Sequence, residues 1–483
     1  IVSYSADSYG LFGELYHYPA GMHKKGTLID IHEWDTGKYL GQIAQARQTY
    51  NVIGNMNEFQ LTIGETTFGG RPELVDTTGI IDYGSLIYLG LQRSRTAREA
   101  IKVMTELVQE YGYYSGGESF TIADPNEIWI MEMIGKGPGV RGAVWVAVRV
   151  PDDCISAHAN QSRIHQFNMN DKENCMYSPD VISFAREKGY FDGVNKDFSF
   201  ANAYAPLDFG ARRYCEARVW SYFNMFTDRG NEFLPYILGE TNTPMPLFVK
   251  PNRKVSVQDV KNAMRDHYEG TPLDISKDFG AGPYHTPYRL SPLSFKVGDR
   301  EYFNERPIST QQSGFVFVAQ MRSELPDPIG GVLWFGTDDA NMTVFTPVYC
   351  CTDKVPVCYT RVDGADYITF SWNSAFWIFN WVANMVYPRY DLMMGDVRAT
   401  QTELETTFNE AQEGVEAAAA KLLEKDPAKA KAFLTNYTNM TAQSTFDTWK
   451  RLGEFLVVKY NDGVVKRMKN GQFERNSIGQ PAD

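Results

Sequence analysis

The groups from which most active sites are built are scarce in this chain of 483 residues. Its seven histidines are scattered, with no His-Glu-x-x-His run, and none of its six cysteines forms a Cys-x-x-Cys pair. That spacing excludes the usual zinc sites and a disulfide scaffold, and no metal or cofactor is expected. Cys350-Cys351-x6-Cys358 is compatible with one bridge in an oxidising compartment and equally with free buried thiols. There is no Gly-x-Ser-x-Gly elbow, P-loop or dinucleotide fingerprint. Basic clusters are missing too, and the net charge is −12, which argues against nucleic acid as a partner. The longest apolar run, Phe376–Tyr387, is interrupted by Asn380 and Asn384 and is too short to span a bilayer.

What remains is the composition of a globular protein, 43% hydrophobic and 14% aromatic, with enough chain for a sizeable core. Gly54–Ile164 carries the clearest pattern. Val52-Ile53 and Phe59–Ile63 frame a Gly-Asn-Met-Asn-Glu turn, as a hairpin would. Thr96 with Glu99 signals a helix start, and Ala97, Ala100, Ile101, Met104, Leu107 and Val108 form its apolar stripe. Strands are expected at Ser119–Asp124, Ile128–Ile134 and Ala143–Val150. Further along, Tyr204–Phe226 reads as helix, and Ser256 with Asp259 opens a helix running toward Gly270. Gly314–Val318 and Gly331–Phe335 read as buried strands. Helices are then expected at Glu403–Lys425, Pro427–Tyr437 and Ser444–Lys459. With no linker or repeat, one compact unit is expected, residues 1–374 as its main body and residues 375–483 as a helical C-terminal lobe packed on it.

Local chemistry is weak. Asp266-His267 beside Arg265 invites a triad reading, but no nucleophile is tied to it, and a helix-end cap is the blander alternative. Glu118 and Glu132 could pair as acid and base, although charges alternating along strands usually face solvent.

A set of stretches, taken in order, carries a resemblance. They are Gly54–Glu58, Gly117–Asp124, Ile128–Glu132, His158-Ala159-Asn160-Gln161 and Ala217-Arg218-Val219-Trp220. Met264–Thr271 with its Arg-Asp-His-Tyr-Glu-Gly-Thr core, Gln320-x-Arg322-x-x-Leu325-Pro326 and Thr346-Pro347-x-Tyr349 complete it. Together they resemble the dipeptidases of the N-terminal-nucleophile cysteine peptidases, a family shared with secernins and related distantly to penicillin V acylase and bile-salt hydrolase. The resemblance implies an α+β chain folded as an N-terminal-nucleophile αββα sandwich. It also implies hydrolysis of dipeptides through a thioester on a cysteine that becomes the mature N-terminus. The α-amine of that cysteine acts as base: thiol and amine have ordinary pKa values of about 8.5 and about 8, close enough to exchange a proton.

Residue 1 is Ile, and Ile1–Asp7 resembles the strand beside the nucleophile, so the cysteine is expected one strand and one turn upstream of Ile1. The resemblance gives Asp7 the N-terminal amine to hold, Asn160 the developing oxyanion, and Arg218 the orientation of charge. Tyr4 stands where relatives often carry Arg and is assigned to substrate preference. Thr67, Arg213, Arg265 and Glu269 are further candidates for substrate contacts, since a dipeptide brings both an amine and a carboxylate. Small peptides are the expected partners, a homo-oligomer is left open, and an exported protein is implied by the relatives. Two other functions stay open: an amidase of the same fold acting on N-acyl amino acids, and a binding protein without a nucleophile.

Overall fold

The alternating runs become the strands of two antiparallel sheets in the computed structural model, which describes residues 1–289 and 293–474. Strand β1 (Val2–Asp7) opens the chain. The larger sheet follows, built from β2 (His17–Tyr18), β3 (Val52–Ile53), β4 (Met56–Asn57), β5 (Thr62–Gly69), β6 (Gly117–Ala123), β7 (Ile128–Gly135), β8 (Ala143–Arg149) and β9 (Cys175–Tyr177). Its spatial order is β9-β8-β7-β6-β5-β4-β3-β2. Three late strands, β10 (Ser313–Gln320), β11 (Val332–Thr337) and β12 (Thr346–Tyr349), return to β1 and form a smaller sheet ordered β1-β10-β11-β12. The chain is thus α+β, and β1 is an edge strand.

Alternation decides what each face meets. In the larger sheet Ile63, Phe120, Ile122, Trp129 and Met131 share one face and pack under α1 (Tyr83–Arg93) and α2 (Ala97–Tyr111). α2 starts where the sequence signals it, Thr96 accepting from the Glu99 amide at 3.3 Å; α1, which the sequence reading did not anticipate, is capped by Asp82, which accepts from the Ser85 amide. In the smaller sheet Tyr4, Phe315, Phe317, Leu333 and Phe335 share the face turned to β3–β5. The approach is close. Gly54 has φ of +53°, and a Cβ there would stand 2.7 Å from Leu333 Cδ2, so both space and backbone require glycine. The smaller sheet is covered in turn by α4 (Val257–Ala263), α5 (Ala375–Val386), α6 (Tyr390–Leu423) and α7 (Pro427–Tyr460).

The smaller sheet covers only part of the larger one. Beyond β1, Ile130, Ile134, Val144 and Val146 of β7 and β8 are buried by Val181, Phe200 and Tyr204 from the long excursion between the sheets. The seam between β1 and that excursion holds the candidate site.

Several boundaries differ from the sequence reading. Tyr204–Phe226 is not one helix: a helix ends at Tyr204, and a π-helical turn at Ala211–Glu216 leads into α3 (Ala217–Phe226). The helix opened by Ser256 stops at Ala263, since Tyr268, with φ of +66°, turns the chain away. The three expected C-terminal helices are two of 34 residues each. Residues 438–443, between two expected helices, are helical, with Thr438 and Ala442 buried and the Thr438 hydroxyl accepting from the Tyr349 amide of β12. All six cysteines are free, and Cys350 and Cys358 donate to the separate carbonyls of Asp327 and Ala442.

Candidate functional site

The outer edge of β1 borders a slot of about 200 Å³, walled by β1, by Gly64–Thr66 of β5 and by Ala157–Ala159, with Arg218 of α3 and Met264 closing it. The register of β1 on β10 shifts between Ala6 and Asp7. Such a bulge re-aims the side chains beside it. Asp7 is held there by the hydroxyls of Ser5 at 2.5 Å and Ser313 at 2.7 Å, with the Arg306 guanidinium 3.5 Å away.

Asn160 stands at the end of the slot in a left-handed conformation, φ +61°. Its amide donates to the Thr67 carbonyl at 2.8 Å, and its own oxygen accepts from Arg218 Nη2 at 2.9 Å. Arg218 also donates to the carbonyls of Ala159 and Tyr214. The π-helical turn supplies that last carbonyl, so an irregularity just before α3 fixes the arginine. An amide has two N–H donors; Thr67 engages one and the other remains. Thr67 contributes its carbonyl and not its hydroxyl, which donates to Glu118 at 2.8 Å.

Tyr4 spans from the slot to a buried pair of acids. Its hydroxyl donates to Glu65 at 2.7 Å and its ring lies against Phe315 and Phe317. Burial raises the pKa of Glu65, and burial together with the charge of Glu65 raises that of Glu118 well above the carboxylate range. Two such groups in one low-dielectric site retain at least one proton between them. His158, on the slot wall, is bound on both nitrogens, by Thr66 at 2.6 Å and Thr121 at 2.7 Å. Burial pushes its pKa down to about 4, so it stays neutral near pH 7 and ties β5 and β6 to the Asn160 loop. Glu132, expected as an acid–base partner of Glu118, instead accepts from the Ser162 hydroxyl and the Arg163 and Ile164 amides and braces the same loop. Among the described residues no group of three or more His, Cys, Asp and Glu is placed to hold a metal ion. No helix among them is long and apolar enough to cross a membrane.

Residues 13–403 match the model of Peptidase family C69. The chain belongs to that family. It is 30% identical over 326 residues to a probable dipeptidase of Salmonella dublin, a match covering 66% of this chain and 65% of the relative. A probable dipeptidase of Latilactobacillus sakei is 27% identical over 73% of this chain and 66% of its own length. Dipeptidase A of Lactobacillus helveticus is 24% identical over 66% of this chain and 60% of its own. The chain thus spans a little under two thirds of the length of these relatives.

In this C69 chain Tyr4, Asp7 and Arg218 line the slot, and Asn160 and Thr67 bond to each other at its end. Arg213 lies one helical turn from Arg218 and is paired with Glu305, its guanidinium over the Phe303 ring. Arg265 and Glu269 are elsewhere, in a polar cleft of about 770 Å³ between α4 and α6. There Arg265 gives four hydrogen bonds, two to Glu405 and two to the carbonyls of Ala340 and Thr343. Glu269 accepts from the amide and ring of His267. The Arg-Asp-His-Tyr-Glu-Gly-Thr stretch is therefore a brace. Tyr268 donates to the Arg306 carbonyl at 2.7 Å, and the Asp266 carbonyl accepts from the Ser309 amide. What it braces is Arg306, which sequence reasoning missed. Asn304-Glu305-Arg306-Pro307 matches no motif, and only the fold brings it to Asp7.

Proposed function

We propose that the protein is a cysteine dipeptidase of the N-terminal-nucleophile type, its nucleophile a cysteine on a strand preceding Ile1. The observation that carries this reading is the unpaired edge of β1, which runs along a slot containing Asp7 and Arg218. A strand added to that edge gains main-chain hydrogen bonds and brings its first residue to the slot. The layering, with sheets facing and helices outside, agrees with the αββα sandwich. None of the cysteines in the chain competes for the role. Cys154 touches the slot, but burial and the neighbouring Asp153 raise its thiol pKa, and the other five are buried. An unactivated thiol is a poor nucleophile.

In this mechanism the α-amine takes the thiol proton while Asp7 accepts a hydrogen bond from the resulting ammonium. The thiolate attacks the peptide carbonyl, and the remaining amide N–H of Asn160, held by Thr67 and Arg218, meets the oxyanion. The ammonium then protonates the leaving amine, and water, deprotonated by the same α-amine, cleaves the thioester. We also propose an exported enzyme, on the family resemblance alone. The test uses the full-length protein on a panel of dipeptides and of N-acyl amino acids, before and after iodoacetamide. Dipeptide cleavage abolished by one modification at an N-terminal cysteine is expected. Cleavage of N-acyl substrates alone overturns the reading in favour of the amidase. No cleavage together with no N-terminal cysteine makes it a binding protein.

A further inference from the structure

We propose that Arg306 and Arg218 together form a receptor for the free carboxylate of the substrate, so that the slot selects peptides with an unblocked C-terminus. The inference rests on the dipeptidase reading and names the group by which its substrate is held.

The charges around the slot do not balance. Arg306 approaches Asp7 at 3.5 Å, whereas Arg218 donates to Asn160 and to the carbonyls of Ala159 and Tyr214 and has no carboxylate partner among the described residues. The acids nearby are engaged elsewhere: Glu305 pairs with Arg213, Glu216 with Arg163, and Asp266 accepts from Ser221. Arg306 Nε is buried and has no hydrogen-bond partner among the described residues. The Arg218 charge, followed by burial, lowers the Arg306 pKa, so each guanidinium feels the other. A buried cation without its counter-ion is costly, and an external anion placed between the two arginines removes that cost. Guanidinium forks match a carboxylate in two parallel hydrogen bonds, which also fixes its orientation.

The position of Arg306 is built. Its carbonyl is held by Tyr268, its neighbour Glu305 by Arg213, and Ser309 by the Asp266 carbonyl. Ile308, two residues on, lines the slot with Asp7 and Arg218, and the Arg306 guanidinium reaches that margin through its contact with Asp7. An arginine that served only to steady Asp7 would need neither a second cation beside it nor an open donor.

The test is binding of the reduced-bond analogue of alanyl-alanine, which cannot be hydrolysed, compared with its C-terminal amide, by titration calorimetry on the full-length protein. At least a tenfold preference for the free acid is expected. Arg306→Met should bring the acid to the affinity of the amide and leave the amide unchanged, while Arg306→Lys, which keeps the charge, retains part of the preference. Equal affinity of the wild type for acid and amide overturns the proposal, and that measurement needs no variant to fold. Loss of both ligands alike in a folded Arg306→Met protein also overturns it. Carboxylate preference without dipeptide cleavage would sink the proposed activity and leave this inference standing. Dipeptide cleavage with no preference would do the reverse.

Discussion

Two arginine–carboxylate groups in this molecule look alike in sequence and behave in opposite ways. In the cleft between α4 and α6, Arg265 is paired with Glu405 through two hydrogen bonds and donates to two further carbonyls. Beside β1, Arg306 meets Asp7 at 3.5 Å, Arg218 has no carboxylate partner among the described residues, and the Arg306 Nε is left over. The first group is saturated and can only hold the fold together; the second is short of an anion and open to a ligand. Saturation, more than residue type or the size of the cavity, separates structure from recognition here. The polar cleft, at about 770 Å³, is the larger of the two and carries less of the chemistry.

The sharpest way to break that contrast is to cut the saturated pair. Arg265→Ala leaves Glu405 buried without its partner, and breaking a buried pair in this way costs about 3–5 kcal/mol. Urea unfolding should show that loss, while KM for a dipeptide, measured on the folded fraction, stays near the wild-type value. A large KM change with little loss of stability would mean that Arg265 belongs with the substrate after all.

The complementary change is Arg218→Ala. It strips Asn160 of the donor that fixes its amide, and loss of one oxyanion contact typically lowers kcat about 10²–10³-fold. A fall in kcat far exceeding any shift in the unfolding midpoint is expected for the unsaturated group. A stability loss as large as that of Arg265→Ala, with kcat kept, would erase the distinction.

How much of this was legible beforehand follows from how local each signal is. The capped starts of α2 and α4 and the alternating strands β6 to β8 were plain, because caps and period-two runs are written within a few residues. The late strands β10 and β11 were equally readable as buried apolar runs. The pairing of β1 with β10 was not, since it joins Tyr4 to Phe317 across most of the chain. The site follows the same rule. Asp7, Asn160 and Arg218 came from a resemblance, whereas Arg306 depends on a long-range convergence that no spacing announces. Arg265 and Glu269 were drawn to the substrate by their motif, whereas the fold places them in the cleft between α4 and α6, away from the slot.

Tyr4 sits at the boundary of the comparison, one side on the slot and the other on the Glu65–Glu118 pair. Tyr4→Phe removes the hydroxyl that Glu65 accepts from, leaving a buried acid one donor short, which costs about 1–3 kcal/mol. Because the ring still fills the contact with Phe315 and Phe317, dipeptide affinity should move less than stability. A change in affinity alone, with the unfolding midpoint kept, would move Tyr4 to the recognition side.

The smallest effect expected comes from Lys261, a second cation near Glu405 that has no hydrogen-bond partner among the described residues. Its ammonium lies over the Trp334 ring, 3.4 Å from the centroid, with Glu405 and Arg265 nearby. Burial brings its pKa down to about 7, the indole face and Glu405 opposing that fall. Above the ordinary value of 10.5 the amine is neutral whether the chain is folded or not, and it costs nothing in protonation. As the pH drops from 10.5 to 7 the unfolded chain takes up a proton that the folded chain refuses, so this group makes the protein progressively less stable. Below about pH 7 the penalty is complete and constant. Lys261→Met keeps a long side chain and a favourable contact with the ring, and should stabilise the protein by about 1 kcal/mol at pH 7. The gain should shrink to nothing by pH 10.5. A variant less stable than wild type at pH 7 would show that the Trp334 contact and Glu405 outweigh burial, and that even this cation is saturated.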